Sequence, residues 1–240
     1  MTEYRKLEID PLERVKRYKR FYGGLVFDKL FSLGIRENML SSQIRPLRPD
    51  MIVAGYALTV KMHSHAEPES TILERGDNPW GGGPRQRLVM GAVRPGCVIC
   101  IDTGPNLFCA QWGEMSCNLA KTLGATGVVC AGNVRDTRVI LGMKDFGVFS
   151  LGSVPNARTG WIVNEINTPI FLPGHLKHSL KVFPGDFIFG DSDGVQVIPA
   201  GAVDEVMLRC EELLDRETEE RKEIQGGMSL DEVYKNYGNL

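Results

Sequence analysis

Three charged residues at a fixed spacing are the strongest candidates for chemistry in this sequence. Glu114 follows a Trp-Gly pair, and twenty residues separate it from the adjacent pair Arg135 and Asp136. Two carboxylates suit a hard divalent cation, because Mg²⁺ typically takes only one or two protein carboxylates and keeps several waters. A guanidinium beside them would hold an oxygen of a small anionic substrate through paired hydrogen bonds. The pattern predicts that Asp136 binds a cation directly and that Glu114 binds it through water.

A purely structural explanation of the same residues stays open. An Arg-Asp pair after a strand often forms a local ion pair or a helix cap. The helix dipole alone favours a glutamate in the first turn of a helix. Their spacing fits both explanations.

The elements around these residues determine whether they can meet. The hydrophobic pattern predicts a strand over 97–102, a strand-like segment LFCAQW, a helix over about 114–123 and a strand over 126–132. In a strand–helix–strand unit, the start of the helix lies at the same sheet edge as the end of the following strand. Glu114, Arg135 and Asp136 are therefore expected at one edge, where open α/β sheets bind ligands. The first-turn amides of Glu114, Met115 and Ser116 point there too, as donors for a substrate carboxylate.

The remaining chain predicts a single α/β domain over residues 1–240. Residues 1–45 show helical spacing of apolar residues, interrupted at Gly23-Gly24 and Gly34. The C-terminal third is mostly β, with two alternating strands in 184–199, and a charged helix over 203–225 follows. This order favours a mixed sheet flanked by helices.

Composition excludes several classes of function. The 240 residues carry 28 Lys+Arg against 30 Asp+Glu, a net charge of −2, which leaves no broad basic field for nucleic acid. No apolar run reaches the roughly 20 residues of a membrane helix, and the N-terminus shows no secretory pattern. We therefore expect a soluble cytoplasmic protein with no membrane or nucleic-acid partner. The six cysteines, including the pair Cys97 and Cys100, are then expected to be ordinary free thiols.

The segment IDTGPNLFCAQWGEMSCNLAKTLGATGVVCAGNVRD resembles a known signature. It is similar to that of the class II pyruvate aldolases, which cleave 4-hydroxy-4-methyl-2-oxoglutarate and 4-carboxy-4-hydroxy-2-oxoadipate, and to that of the related regulator of ribonuclease E activity. AGYALTVK, RPGCVICID and PGDFIFGDSDGVQVIP extend the resemblance over residues 25–235. The aldolases have Asp, twenty residues and Arg-Asp, where this chain has Glu114, Arg135 and Asp136. The regulators lack the second aspartate, so Asp136 favours the metal-dependent enzyme.

The resemblance implies a swivelling β/β/α-like fold and a site for Mg²⁺ or Mn²⁺. The ion would be held by Asp136 and, through waters, by Glu114 and by a glutamate of the adjacent subunit's C-terminal helix. Counting from neighbouring landmarks places that glutamate at Glu217, or at Glu220 if the helix register slips. The implied assembly is a homotrimer or a hexamer made as a dimer of trimers.

The resemblance also implies the reaction. A short 2-oxo acid would undergo retro-aldol cleavage or decarboxylation to pyruvate through an enolate. Arg135 would contact the pyruvyl oxygens, and the backbone around Gly113, Met115 and Ser116 would receive the carboxylate. Two alternatives stay open: a non-enzymatic protein-binding module of the ribonuclease-regulator type, and a lyase or dehydratase acting on another hydroxy acid or sugar acid.

The chain departs from the aldolase pattern at two places. Val139 stands where many aldolases carry a further acid. The segment over residues 63–86 is unlike the shorter aldolase loop and would alter the pocket entrance. In that segment, His63 and His65 are either a solvated pair or zinc ligands. Trp80, Gly81 to Gly83 and Arg85 form either a flexible loop or an anion-binding lid.

Overall fold

The computed structural model describes residues 4–64, 84–104, 107–157 and 161–238. The helices are α1 (Pro11–Tyr18), α2 (Gly23–Ser32), α3 (Pro84–Ala92), α4 (Glu114–Thr122), α5 (Thr137–Ile140), α6 (Val203–Gln225) and α7 (Leu230–Tyr237). The strands are β1 (Arg45–Pro46), β2 (Val53–Ser64), β3 (Cys97–Asp102), β4 (Ala110–Trp112), β5 (Gly127–Val134), β6 (Gly147–Ser153), β7 (Trp161–Ile166), β8 (Ile170–Pro173), β9 (Ser179–Val182), β10 (Phe187–Asp191) and β11 (Gly194–Ile198).

One mixed sheet organises the molecule. Its strands follow the order β1-β6-β5-β3-β2-β10-β11, with β4 paired to β5 and β7 paired to β2. The central strands β2, β3, β5 and β6 are parallel, whereas the outer pairings are antiparallel. Arg45 of β1 donates to the Ser192 carbonyl in the β10–β11 turn at 3.0 Å, so the two ends of the sheet approach each other and nearly close it. The predicted α/β class with a mixed sheet and flanking helices is confirmed.

Two apolar layers hold the sheet. Strands β3 and β5 are buried along nearly their whole length, as expected for parallel strands covered on both faces. The second layer forms where α1, α2 and α6 cover the β10–β11 hairpin, with Tyr18, Phe187 and Phe189 at its centre. The site elements therefore extend from a rigid, fully buried core.

The start of α6 is anchored by ion pairs of two buried carboxylates. Asp204 accepts from the Arg14 guanidinium at 2.6 Å and from the Leu7 N–H at 2.9 Å. Glu205 accepts from Arg5 at 2.7 Å and from Arg209 at 2.6 Å. These bonds tie the N-terminal segment to the C-terminal helix.

Most predicted elements have the expected place in the chain, with two differences. Helical structure in the N-terminal segment ends at Ser32; residues beyond it form isolated bridges, Met39 with Gln196 and Leu40 with Gly174, and then β1. Helix α7 was not predicted, although Ser229 and Glu232 form a capping box at its start. Within the described residues, no helix is both long enough and apolar enough to span a bilayer.

Candidate functional site

The site lies where two parallel strands end side by side. Trp112 of β4 pairs with Val134 of β5, and the Arg135 N–H donates to the Trp112 carbonyl at 2.9 Å. The next residues along the two strands are therefore neighbours, and Gly113 and Glu114 stand beside Arg135 and Asp136. Helix α4 begins at one strand end and the short helix α5 at the other.

Asp136 has an unusual backbone and a lightly bonded carboxylate. Its φ of 61° and ψ of 28° are left-handed, a conformation that aspartate tolerates better than most residues. One carboxylate oxygen, Oδ2, lies 3.3 Å from the donating N–H of Glu114 and 3.5 Å from Arg135 Nε. The Asp136 side chain is 45% exposed and that of Arg135 is 41% exposed. Both groups therefore face solvent with bonding capacity left for a ligand.

Gly113 allows these side chains to approach the backbone closely. A Cβ added there would lie 2.8 Å from Asp136 Oδ2 and 3.3 Å from both Cγ and Nε of Arg135. A contact under 3 Å forces a shift, so any larger residue would displace the carboxylate. The glycine that precedes α4 thus keeps the site open.

The first turn of α4 supplies further polar groups. Glu114 is half-buried, and its Oε1 accepts from the Asn118 side chain one turn later. The first backbone bond of the helix runs from the Cys117 N–H to the Gly113 carbonyl, so the amides before it lie at the open helix end. Ser116 is half-buried there, while the Met115 side chain is 75% exposed.

Glu217 lies on α6 and has partners of its own. Its Oε2 accepts from the Tyr22 hydroxyl, and from Arg221 at 2.6 Å. Burial, followed by the bond to Glu217, raises the pKa of Tyr22 to about 12, so the hydroxyl stays protonated and donates. The structure gathers Gly113, Glu114, Arg135 and Asp136 at one edge, and places Glu217 with Tyr22 on the helical layer.

Comparison with known proteins identifies the family. Residues 25–197 match the model of the RraA-like family, described as Aldolase/RraA. This chain belongs to the Aldolase/RraA family. The match covers the strands β4 and β5, which end at the site, and the residues that follow them, Gly113-Glu114 and Arg135-Asp136. The resemblance seen in the sequence is therefore confirmed.

Individual relatives agree with the family match. A Halalkalibacterium halodurans protein named "Putative 4-hydroxy-4-methyl-2-oxoglutarate aldolase" is 33% identical over 183 residues, which are 76% of this chain and 77% of that protein. Among solved structures, one described as novel cellulases from gut-associated microbes has a TM-score of 0.74 at 27% identity and 90% coverage of both chains. Streptomyces coelicolor RraAS2, described as an unusual member of the RNase ES inhibitor RraA family, has a TM-score of 0.66. Its 23% identity, over 90% of this chain and 98% of that one, supports the fold alone.

The donor atoms of this Aldolase/RraA site fit a hard divalent cation. Among the residues that the structure describes, no three His, Cys, Asp or Glu side chains gather into a metal cluster. The edge offers the carboxylates of Asp136 and Glu114, the number that Mg²⁺ takes when it keeps several waters. Waters would fill the remaining positions around such an ion.

Other candidates lie apart from this edge. His63 Nδ1 is 2.6 Å from the Asn164 side-chain oxygen. The rest of the candidate zinc and lid residues lie outside the described residues: His65, Trp80 and Gly81 to Gly83, together with the side chain of Arg85. All six cysteines are buried free thiols, as predicted, and burial raises the pKa of Cys117, on the buried face of α4, to about 12. A thiol that stays protonated is no nucleophile for this site.

Sequence reasoning missed two residues that touch the proposed ligands. Asn118 follows Glu114 by four residues, and this helical spacing was a usable signal. Tyr22 lies 195 positions from Glu217, and no local pattern joins them. Its contact depends on how α2 packs against α6.

Proposed function

We propose that this chain is a divalent-metal-dependent lyase that cleaves or decarboxylates a short 2-oxo acid to give pyruvate. The observation that carries the proposal is the grouping of Glu114, Arg135 and Asp136 at the carboxyl edge of the parallel strands. The name of the relative from Halalkalibacterium halodurans supports an aldolase-like role. Membership of the Aldolase/RraA family also supports an aldolase-like role.

The chemistry needs a developing negative charge to be neutralised. In the retro-aldol reaction a base, such as a water molecule, takes the proton of the substrate hydroxyl, and that oxygen forms the carbonyl of the second product. The C–C bond next to it breaks, and the bonding electrons form the enolate of pyruvate. That enolate then takes a proton on carbon. Arg135 donates to the oxygens on which the charge grows, and the positive end of the α4 dipole, around Gly113, Met115 and Ser116, favours the substrate carboxylate there.

Mg²⁺ or Mn²⁺ would be held by Asp136 directly and by Glu114 through water. The ion would supply positive charge that polarises the 2-oxo group. Gly113 leaves the space that Asp136 needs to turn its carboxylate outward. The Asn118 amide fixes the orientation of Glu114.

The site is proposed to be completed by a second copy of the chain. Exposed apolar side chains lie at four-residue intervals along α4, at Met115, Leu119 and Leu123. Such a stripe favours burial against another subunit. Both donors to Glu217 use Oε2, so Oε1 stays available to accept from a metal-bound water of a neighbouring subunit. We propose a homotrimer or a dimer of trimers.

The alternative is a protein-binding role without catalysis. It fits the description of the family as Aldolase/RraA, which includes RraA proteins as well as aldolases. A pull-down with an RNA-degrading enzyme, together with no turnover of any oxo acid, would support it.

The test is pyruvate release from oxaloacetate and from 4-hydroxy-4-methyl-2-oxoglutarate, with Mg²⁺, with Mn²⁺ and with EDTA. We expect metal-dependent release that EDTA abolishes and that Arg135→Ala removes. Turnover that is unchanged in EDTA or in Arg135→Ala would contradict the proposal.

The shared site is tested by mixing two inactive proteins. Asp136→Asn and Glu217→Gln each damage one half of every site. If the halves come from different subunits, mixed assemblies regain some complete sites and activity returns. A protein that is a monomer by light scattering and fully active in the pyruvate assay would refute the second-subunit contribution.

A further inference from the structure

A polar cavity lies on the helical layer, away from the candidate site at the sheet edge. It has a volume of about 530 Å³ between α2, α6 and the N-terminal segment. Its walls are formed by Arg5, Lys29, Ser32, Arg209, Glu212, Leu213 and Arg216. We call this cavity the α2–α6 groove.

The groove holds more positive than negative charge. Arg5 and Arg209 share one carboxylate, Glu205, and Arg5 also reaches Glu212 at 3.4 Å. Lys29 is half-buried, and no carboxylate in the described part of the chain lies within ion-pair distance of its ammonium. Four cations therefore face two carboxylates, and a half-buried ammonium without a counterion is unfavourable.

Arg216 also lacks a carboxylate partner in the described part of the chain and is held by a neutral group. It donates to the Tyr237 carbonyl at 2.7 Å, and its guanidinium lies 6.0 Å from the Tyr237 ring centroid. The contact holds the side chain in place without neutralising its charge. The remaining donors of its guanidinium are available to an anion.

The cations are spread along the groove instead of meeting at one point. Arg209, Leu213 and Arg216 occupy one face of α6, where seven residues rise by about 10 Å. Lys29 and Ser32 are three apart on α2 and face them. An anion with one charge would reach only part of this array, whereas two linked anionic groups would span it.

We propose that the α2–α6 groove binds a small molecule carrying two or more phosphate or carboxylate groups. Lys29 and Arg216 supply the uncompensated charge, and Leu213 contributes an apolar wall. The Ser32 hydroxyl donates to the Lys29 carbonyl at 2.8 Å and so lines the groove without a donor left for the ligand. This site is independent of the proposed lyase activity. It uses none of the residues at the sheet edge.

The experiment titrates inorganic pyrophosphate, and citrate in a second arm, into the full chain by calorimetry at constant ionic strength. Lys29→Gln and Arg216→Gln are each expected to weaken binding by about tenfold, because each removes a charge-assisted hydrogen bond. Lys144→Gln removes the same charge at an exposed position outside the groove and should leave binding unchanged. Unfolding temperatures without ligand show whether each variant is folded, and the two variants test the groove separately.

Any one of four results would overturn the proposal. The first is that neither anion binds the wild-type chain. The second is that both groove variants bind as tightly as the wild type, and the third is that Lys144→Gln weakens binding as much as they do. The third result would mean a general field effect. A changed mass for Lys29→Gln in light scattering would also overturn it, because acidic groups of a second copy would then occupy the groove.

Discussion

Two pairs of acids in this molecule are held in opposite ways. At the start of α6, the side chains of Asp204 and Glu205 are only 10% and 7% exposed, and arginines bond to both at 2.6 to 2.7 Å. At the sheet edge, Asp136 is 45% exposed, and its contacts are 3.3 and 3.5 Å long. The carboxylates of Asp204 and Glu205 are saturated with hydrogen-bond donors, whereas those of Asp136 and Glu114 can still accept bonds from a ligand.

The difference separates carboxylates that hold the fold from carboxylates that can do chemistry. The side-chain bonds from Arg5 and Arg209 lower the pKa of Glu205 to about 2, so its charge is fixed over the physiological range. The Asp204–Arg14 pair has both side chains nearly buried and is costly to break, because the remaining partner is left charged and unpaired. Substitutions in the two pairs should therefore have opposite effects on activity and on stability.

The largest effect is expected for Asp136→Asn. Asparagine tolerates the left-handed backbone but removes the charge that would hold a cation. We expect metal-dependent pyruvate release to fall at least about 100-fold, or about 2.7 kcal/mol of transition-state stabilisation. The unfolding temperature should stay nearly unchanged.

The matched control for that substitution is Asp145→Asn. Asp145 also has a left-handed backbone, with a φ of 57°, and lies outside the site. It should keep wild-type turnover. Equal loss in both variants would place the effect in the backbone and not in the carboxylate.

Asp204→Asn should have the reverse outcome. It leaves the Arg14 guanidinium, whose side chain is 13% exposed, without its ionic partner. We expect a loss of about 2 kcal/mol of unfolding free energy, measured in urea. The turnover per folded molecule should not change, and a selective loss of turnover would break the distinction between the two pairs.

Gly113→Ala should disturb the site without unfolding the chain. Its Cβ would push against Asp136 Oδ2, so we expect turnover to fall about tenfold, about 1.4 kcal/mol. Gly201→Ala is the control, since a Cβ there meets no atom within 4 Å. Wild-type kinetics in Gly113→Ala would show that Asp136 does not need its observed position.

The pH dependence of stability should report the saturated pair. The pKa of Glu205 is depressed in the folded chain, from 4.5 to about 2, so its stabilisation is present above pH 4.5. It is lost as the pH falls from 4.5 toward 2, and the unfolding temperature should drop by a few degrees. Glu205→Gln should flatten this part of the profile; an identical slope in that variant would exclude Glu205 as its source.

The smallest expected effect is that of Tyr22→Phe. It removes one of the two donors to Glu217, so a proposed water-mediated ligand is held less firmly. We expect a roughly threefold weaker apparent affinity for Mn²⁺, measured by calorimetry. Tyr234→Phe, at an exposed position of α7, should bind Mn²⁺ as the wild type does.

Local patterns were enough to predict the frame of the site. The strand over 97–102 and the start of α4 at Glu114 follow directly from apolar runs bounded by glycine and polar residues. The rule for strand–helix–strand units then brings Glu114 near Arg135 and Asp136. Their catalytic roles stay predictions.

The remaining features depend on packing between distant segments. The anchoring of Asp204 by Arg14, and the contact of Tyr22 with Glu217, join residues about 190 positions apart. The space that Gly113 provides depends on where the side chains of a different strand point. Local patterns in a single sequence do not indicate which distant segments will be in contact.

The left-handed backbone at Asp136 has an evolutionary consequence. Only aspartate, asparagine and glycine enter that conformation readily, so few substitutions are open to the position without strain. Asparagine and glycine preserve the turn but remove the negative charge. One codon change at this position would therefore remove the carboxylate that we propose to hold a cation and leave the backbone turn intact.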